Sequence, residues 1–136
     1  MTMRKVLDSF ALIAYFEDEP GAAEVETLLT QAEKTGVKLL MSVINLGEVW
    51  CDIARSYSAQ VAEEKLHEVR GMAIEIIDVD WELTYQAAQL KAKAKLAYAD
   101  CFAAALAMQN NAELISGDPE FKQLASQVKM HWLPQK

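Results

Sequence analysis

Four acidic residues stand in largely apolar surroundings at widely separated places in the sequence. Asp8 and Asp118 each follow a short apolar run. Glu48 lies inside such a run, and Asp100 is the only charged residue between positions 96 and 112. A carboxylate in an apolar environment is costly unless it is paired or bound to a cation. Because four such carboxylates would repel one another, they predict a site for a hard divalent cation such as Mg²⁺ or Mn²⁺.

Each acid also has a purely structural interpretation. Asp8 or Asp118 could cap a helix that follows a strand. Asp100, near the start of a predicted helix, could complement the helix dipole. Glu48 could pair with Arg55, although a spacing of seven residues is long for an ion pair on a helix. A shared site explains all four acids at once, and we therefore prefer it.

Short apolar runs alternate with helical patterns along the chain. We predict strands at 4–7, 37–41, 73–79, 113–116 and 129–133. Helices are predicted at 22–35, 59–70, 82–95, 98–110 and 119–126, with a further helix after Ser42 and an almost continuous apolar run at 9–16. This alternation indicates an α/β fold: one three-layer domain spanning 1–136, with a mostly parallel sheet of four or five strands and helices on both faces.

Ligands of parallel sheets bind outside the carboxyl ends of the strands. Asp8 and Asp118 come directly after the first and the fourth predicted strand, so they are expected at that edge. The remaining question is whether the helices bring Glu48 and Asp100 to the same place.

Composition limits the class of protein. With 136 residues, of which 52% are hydrophobic, the chain can bury a core without disulfides or metal. Two cysteines are too few for a disulfide framework and favour a reducing cytoplasm; we expect both to pack as small hydrophobes. The longest uncharged stretch, 101–112, is shorter than the roughly 20 residues of a membrane helix, so we expect neither export nor membrane spanning.

The net charge is −7, with 20 acidic against 13 basic residues, which argues against binding nucleic acid. That argument fails if several acids surround a divalent ion, because the ion reverses the local charge. Lys91 and Lys95 would share one face of the predicted helix at 82–95, where they could meet phosphates beside Asp100. A solvated helix face explains these two lysines equally well.

The four acids and their neighbours resemble the PIN-domain nucleases, most of all the VapC-type toxins of prokaryotic toxin–antitoxin systems. The resemblance covers nearly the whole chain and rests on Val6-Leu7-Asp8-Ser9, Asn45-Leu46-Gly47-Glu48-Val49, Tyr98-Ala99-Asp100-Cys101 and Ser116-Gly117-Asp118-Pro119-Glu120-Phe121. It implies that the four acids are the catalytic, metal-binding set in a PIN-like fold. It further implies that Ser116 supplies a supporting hydroxyl beside Asp118. Glu120 falls where some members of the family have another acid, but we expect it to have little direct role.

The resemblance also implies a function. The protein would be a cytoplasmic, Mg²⁺- or Mn²⁺-dependent endoribonuclease that hydrolyses RNA phosphodiester bonds, and the toxin partner of a cognate antitoxin protein. We also expect a homodimer and no membrane partner. The alternatives are a PIN-fold RNA-processing nuclease that is not a toxin, and a non-catalytic binding module of the same fold. A phosphatase with Asp8 as nucleophile is disfavoured because Phe10 occupies the place of its second acid.

Overall fold

The apolar runs of the sequence form the strands of one parallel sheet in this computed structural model, which describes residues 3–134. The strands are β1 (Lys5–Leu7), β2 (Leu39–Ser42), β3 (Ile74–Ile77), β4 (Glu113–Ser116) and β5 (Lys129–Trp132), in the spatial order β3-β2-β1-β4-β5. The helices are α1 (Ser9–Phe16), α2 (Ala22–Thr35), α3 (Val43–Ser56), α4 (Ala59–Arg70), α5 (Trp81–Lys93) and α6 (Tyr98–Gln109), with a 3-10 helix at Pro119–Leu124. All strand pairs are parallel, which confirms the predicted α/β class.

Helices cover both faces of the sheet because the central strands are apolar on both sides. Successive residues of a strand point to opposite faces. In β1, Val6 packs into a core with residues of α5 and α6, whereas Leu7 packs into a second core with residues of α1 to α4. β4 repeats this alternation, with Leu114 in the first core and Ile115 in the second. The sequence prediction of a three-layer molecule is therefore confirmed.

Local signals in the sequence account for several helix ends. The Ser42 hydroxyl accepts a hydrogen bond from the backbone N–H of Asn45 at 3.1 Å and so caps α3, as predicted. Gly36 ends α2 with φ +73°, a left-handed conformation that favours glycine. The apolar run at 9–16 is α1, and its residues contribute to the second core.

The end of α5 corrects the prediction about the two lysines. We expected Lys91 and Lys95 on one helical face, but α5 ends at Lys93 and Ala94 is extended. The backbone N–H of Lys95 donates to the Gln123 side chain at 2.9 Å, and the Gln123 amide donates back to the Lys95 carbonyl at 3.2 Å. These bonds replace the helical ones, so Lys95 lies in the connection between α5 and α6.

The prediction that both cysteines pack as small hydrophobes is wrong for one of them. Cys101 is buried as predicted, whereas Cys51 is exposed, because α3 turns that position away from the core. No helix within residues 3–134 is both long enough and apolar enough to cross a membrane.

Candidate metal centre

Neighbouring strands bring two of the acids to one edge of the sheet. Leu7 and Ile115 are paired in the ladder between β1 and β4. Asp8 follows β1 immediately, and Asp118 follows β4 after one intervening residue. Both acids therefore emerge at the carboxyl ends of adjacent parallel strands, the place where ligands of such sheets bind.

Asp8 is buried, with 1% of its surface exposed, and its side chain is hydrogen-bonded. Its carboxylate accepts from the backbone N–H of Ala11 at 2.8 Å, which caps α1, and from the hydroxyl of Ser116. Burial raises the pKa of Asp8 to about 8, against the lowering effect of the two hydrogen bonds. The negative charges of Asp100 and Asp118 raise this pKa further, so the three carboxyl groups are electrostatically coupled.

Asp100 lies in the first turn of α6, and its pKa is affected by several of the other acids. Burial is the main cause that raises its pKa to about 7. The charges of Asp118, Glu48 and Glu120 raise it as well, in that order. Carboxylates from four segments of the chain thus contribute to one negative region. Glu48 belongs to this region and, among the ion pairs of residues 3–134, has none with Arg55.

The most compact group of carboxylates contains a residue from which little was expected. In the described part of the chain, Asp100, Asp118 and Glu120 each offer an oxygen atom within 4.8 Å of the others. Asp118 caps the 3-10 helix by accepting from the Glu120 backbone N–H at 3.0 Å. This turn, fixed by Pro119 at its start, places the Glu120 side chain beside the other two. The spacing Asp-Pro-Glu is the sequence signal that indicates such a turn.

Ser116 connects two of the acids. Its hydroxyl oxygen accepts from the backbone N–H of Asp118 at 3.0 Å, and its hydroxyl donates to the Asp8 carboxylate. The residue is fully buried. Ser116 therefore lies beside Asp118 as the resemblance implies, and it also orients Asp8.

The donor set fits a hard divalent cation. The compact group offers carboxylate oxygens alone, which Mg²⁺ and Mn²⁺ prefer, without the His or Cys ligands of a typical zinc site. Burial, and repulsion by the neighbouring acids, raise the pKa of Asp8 to about 8 and that of Asp100 to about 7. A bound cation would remove this repulsion.

The structural interpretations of the acids are compatible with a shared site. Asp8 and Asp118 are helix caps, and Asp100 lies in the first turn of α6. The cap occupies one carboxylate oxygen of Asp118, so its second oxygen remains for a ligand. Asp8 accepts from Ala11 and from Ser116, and each carboxylate oxygen has two lone pairs, so these bonds leave acceptor capacity for a ligand.

The two lysines stand apart from the acids. The ammonium group of Lys91 donates to the carbonyl of Leu96, and its charge lowers the pKa of the Cys101 thiol, which burial raises. Lys91 is thus close to the start of α6. Lys95 is exposed. Neither lysine forms an ion pair with the site acids within residues 3–134.

Comparisons with known proteins bear on the whole chain. Residues 5–127 match the family model of the PIN domain, whereas no curated protein sequence matches. VapBC2 from Rickettsia felis, bound to a DNA fragment from its promoter, has a similar fold (TM-score 0.74, 19% identity, 97% of this chain and 100% of that chain covered). So does VapC20 from Mycobacterium tuberculosis, a Sarcin-Ricin loop cleaving toxin (TM-score 0.73, 16% identity, 96% and 99% covered). VapBC-1 from nontypeable Haemophilus influenzae is also similar (TM-score 0.69, 16% identity, 96% and 98% covered).

Proposed function

This chain belongs to the PIN domain family, and we propose that it is a metal-dependent endoribonuclease that acts as the toxin of a toxin–antitoxin pair. The observation that carries the proposal is the approach of carboxylate oxygens of Asp100, Asp118 and Glu120 to within 4.8 Å of one another. The negative charges of Asp8 and Glu48 lie close enough to belong to the same region. Such a concentration of carboxylates, of which Asp8 is buried and Asp100 and Asp118 are partly buried, costs stability unless it serves a ligand. A divalent cation is the ligand whose chemistry matches it.

The acids have distinct roles in this proposal. Asp100, Asp118 and Glu120 hold the cation from one side, since their oxygens already lie within 4.8 Å of one another. Asp8 and Glu48 complete the negative environment. When bound, Mg²⁺ or Mn²⁺ would lower the pKa of a water molecule and stabilise negative charge on the scissile phosphate. Asp118 is only partly buried, so it can reach a solvent water and orient it or accept its proton.

RNA is the proposed substrate, cleaved at a phosphodiester bond in a single-stranded or looped segment. A chain with a net charge of −7 needs a local positive charge to accept a phosphate, and a cation at the acids would provide it. Lys91 and Lys95 remain proposed substrate contacts, although they lie in two different parts of the chain rather than on one helix face. Lys91 would approach from the end of α5 and Lys95 from the following connection.

A protein partner is part of the same proposal. Several solved structures of similar fold are VapBC complexes, which supports a cognate antitoxin for this chain. We also propose that the chain forms a homodimer. Co-purification of the product of an adjacent small reading frame would test the antitoxin, and light scattering of the purified chain would test the dimer.

RNA cleavage by the purified protein tests the nuclease. We expect cleavage with Mg²⁺ or Mn²⁺, none with EDTA, and a loss of at least about a hundredfold in Asp100→Asn, because this change removes a charged ligand but little volume. Glu26→Gln, an exposed acid on α2, is the matched control and should cleave at the normal rate. Unchanged cleavage in Asp100→Asn would show that the reaction occurs elsewhere on the protein or comes from a contaminant.

A further inference from the structure

Asn45 is a fully buried amide that forms hydrogen bonds in three directions. Its exposed fraction is 0%. Its side-chain oxygen accepts from the Ser42 hydroxyl at 2.6 Å, and its amide nitrogen donates to the Ser9 hydroxyl at 3.2 Å and to the Ala99 carbonyl at 3.1 Å. Because a carbonyl can only accept, the bond to Ala99 determines which end of the amide is the nitrogen.

The partners of Asn45 lie next to the acids of the site. Ser9 follows Asp8, and Ala99 precedes Asp100. Asn45 itself lies one turn before Glu48 on α3, so the two residues share a face of that helix. The Ser9 hydroxyl also donates to the Asn45 backbone carbonyl at 3.2 Å, which makes the link between α1 and α3 reciprocal.

The Asn45 amide also contacts the start of α6. Its N-cap position is Ala97, which has no side-chain capping bond, whereas α1, α3, α4 and α5 are each capped by Asp or Ser. Within residues 3–134, the Asn45–Ala99 bond joins the first turn of α6 to a side chain of α3. An apolar residue at position 45 could fill the space, but it would leave the first turn of α6 without this anchor.

We propose that Asn45 is a positioning residue of the candidate metal centre: it sets the spacing of Asp8, Glu48 and Asp100 by joining the first turns of α1, α3 and α6. The role rests on the proposed metal site. Within residues 3–134, no hydrogen bond joins this amide to a carboxylate of the site, so it acts on the acids through Ser9, Ala99 and α3. Groups that hydrogen-bond metal ligands directly weaken metal affinity by about ten- to a hundredfold when they are lost, and an amide that acts through the neighbouring residues should have an effect at the lower end of this range.

Direct measurement of Mn²⁺ binding, by calorimetry or by the electron paramagnetic resonance signal of the free ion, tests this role without relying on catalysis. We expect Asn45→Ala to raise the dissociation constant for Mn²⁺ about tenfold or more. Ser9→Ala, which removes one arm of the network, should raise it by a smaller factor. Ser9→Ala also carries the test if Asn45→Ala does not fold.

Val69→Ala is the control for lost stability. It removes buried volume from α4, and Val69 has no part in the Asn45 network. It should lower the melting temperature and leave Mn²⁺ binding unchanged. Normal Mn²⁺ affinity in both Asn45→Ala and Ser9→Ala would overturn the positioning role, as would an equal loss of affinity in Val69→Ala. No Mn²⁺ binding by the unmodified protein is a different result, because it would overturn the proposed metal site itself.

Discussion

Individual carboxyl groups in this protein serve structure and proposed function together. Asp8 caps α1 through one oxygen and is electrostatically coupled to Asp100 and Asp118. Burial disfavours the ionised form of Asp8 and raises its pKa to about 8, so a charge at this position is costly. A residue selected only to cap a helix would not need a charge, because Asn caps about as well as Asp.

Asp8→Asn separates these two roles. The amide can keep both the bond from Ala11 and a bond to Ser116, and it removes a buried charge. At pH 8 in EDTA, we expect the variant to be more stable by roughly 1–3 kcal/mol, while its Mn²⁺ affinity falls by at least about tenfold. Urea unfolding and calorimetry measure the two effects.

Asp80→Asn is the control for this experiment. Asp80 also caps a helix, by accepting from Leu83 at 2.9 Å, but it is exposed. The substitution should change neither the free energy of unfolding nor the Mn²⁺ affinity appreciably. A lower stability of Asp8→Asn would contradict this interpretation, because it would mean that the folded protein stabilises the charge of Asp8 more than the bonds from Ala11 and Ser116 account for.

Glu120→Gln tests the residue from which least was expected. If Glu120 holds a cation with Asp100 and Asp118, we expect the substitution to raise the Mn²⁺ dissociation constant roughly tenfold. Glu82→Gln, an exposed acid in the first turn of α5, should bind Mn²⁺ normally. Normal binding by both variants would restrict the ligand set to the four acids that the resemblance implies.

At the scale of elements, the turn after β4 is where packing controls the site. A Cβ atom on Gly117 would lie 2.5 Å from Cε1 of Phe10 in α1 and 3.4 Å from the Leu133 carbonyl. A side chain therefore cannot enter without displacing a ring or the backbone. Gly117 lies between Ser116 and Asp118, so a shift of this turn would move two residues of the candidate site.

Two glycine substitutions test this packing. We expect Gly117→Ala to destabilise the fold by about 1–3 kcal/mol through overpacking. Gly47→Ala should stabilise it by roughly 0.5–1 kcal/mol, because alanine favours a helix and nothing lies within 4 Å of the added atom. Urea unfolding of both variants is the measurement. A neutral Gly117→Ala would indicate that the Phe10 ring moves away at little cost.

At the scale of the whole molecule, the coupled acids link stability to pH. The pKa values of Asp8 and Asp100 rise from 3.8 to about 8 and about 7, so the folded chain holds protons that the unfolded chain releases. This contribution to stability is fully present below about pH 4 and is lost as the pH rises through 7 and 8. A divalent cation should act in the opposite direction, because it binds the deprotonated groups.

Thermal unfolding across pH tests this linkage. In EDTA, the melting temperature should fall by several degrees between about pH 5.5 and about pH 8.5. With Mn²⁺, we expect stabilisation that increases over the same range, since fewer protons must be displaced at higher pH. A Mn²⁺ effect that is independent of pH would place the bound ion away from Asp8 and Asp100.

The sequence by itself determined the α/β class, the parallel sheet and the helix start at Ser42, because these depend on local patterns and short-range capping. It also identified the acids, since a charge within an apolar run is visible without a structure. The sequence predicted the positions of the acids relative to one another only in part. Asp8 and Asp118 could be placed at one edge because strand pairing follows general rules.

Only the tertiary structure decided how closely the acids approach and which of them form the most compact group. Glu120 joins Asp100 and Asp118 through a 3-10 turn, and Lys95 leaves the face of Lys91 because Gln123 binds its backbone. Asn45 gains its three bonds from segments up to 54 positions away in the chain. Such contacts depend on distances between elements, which helix and strand periodicity does not encode.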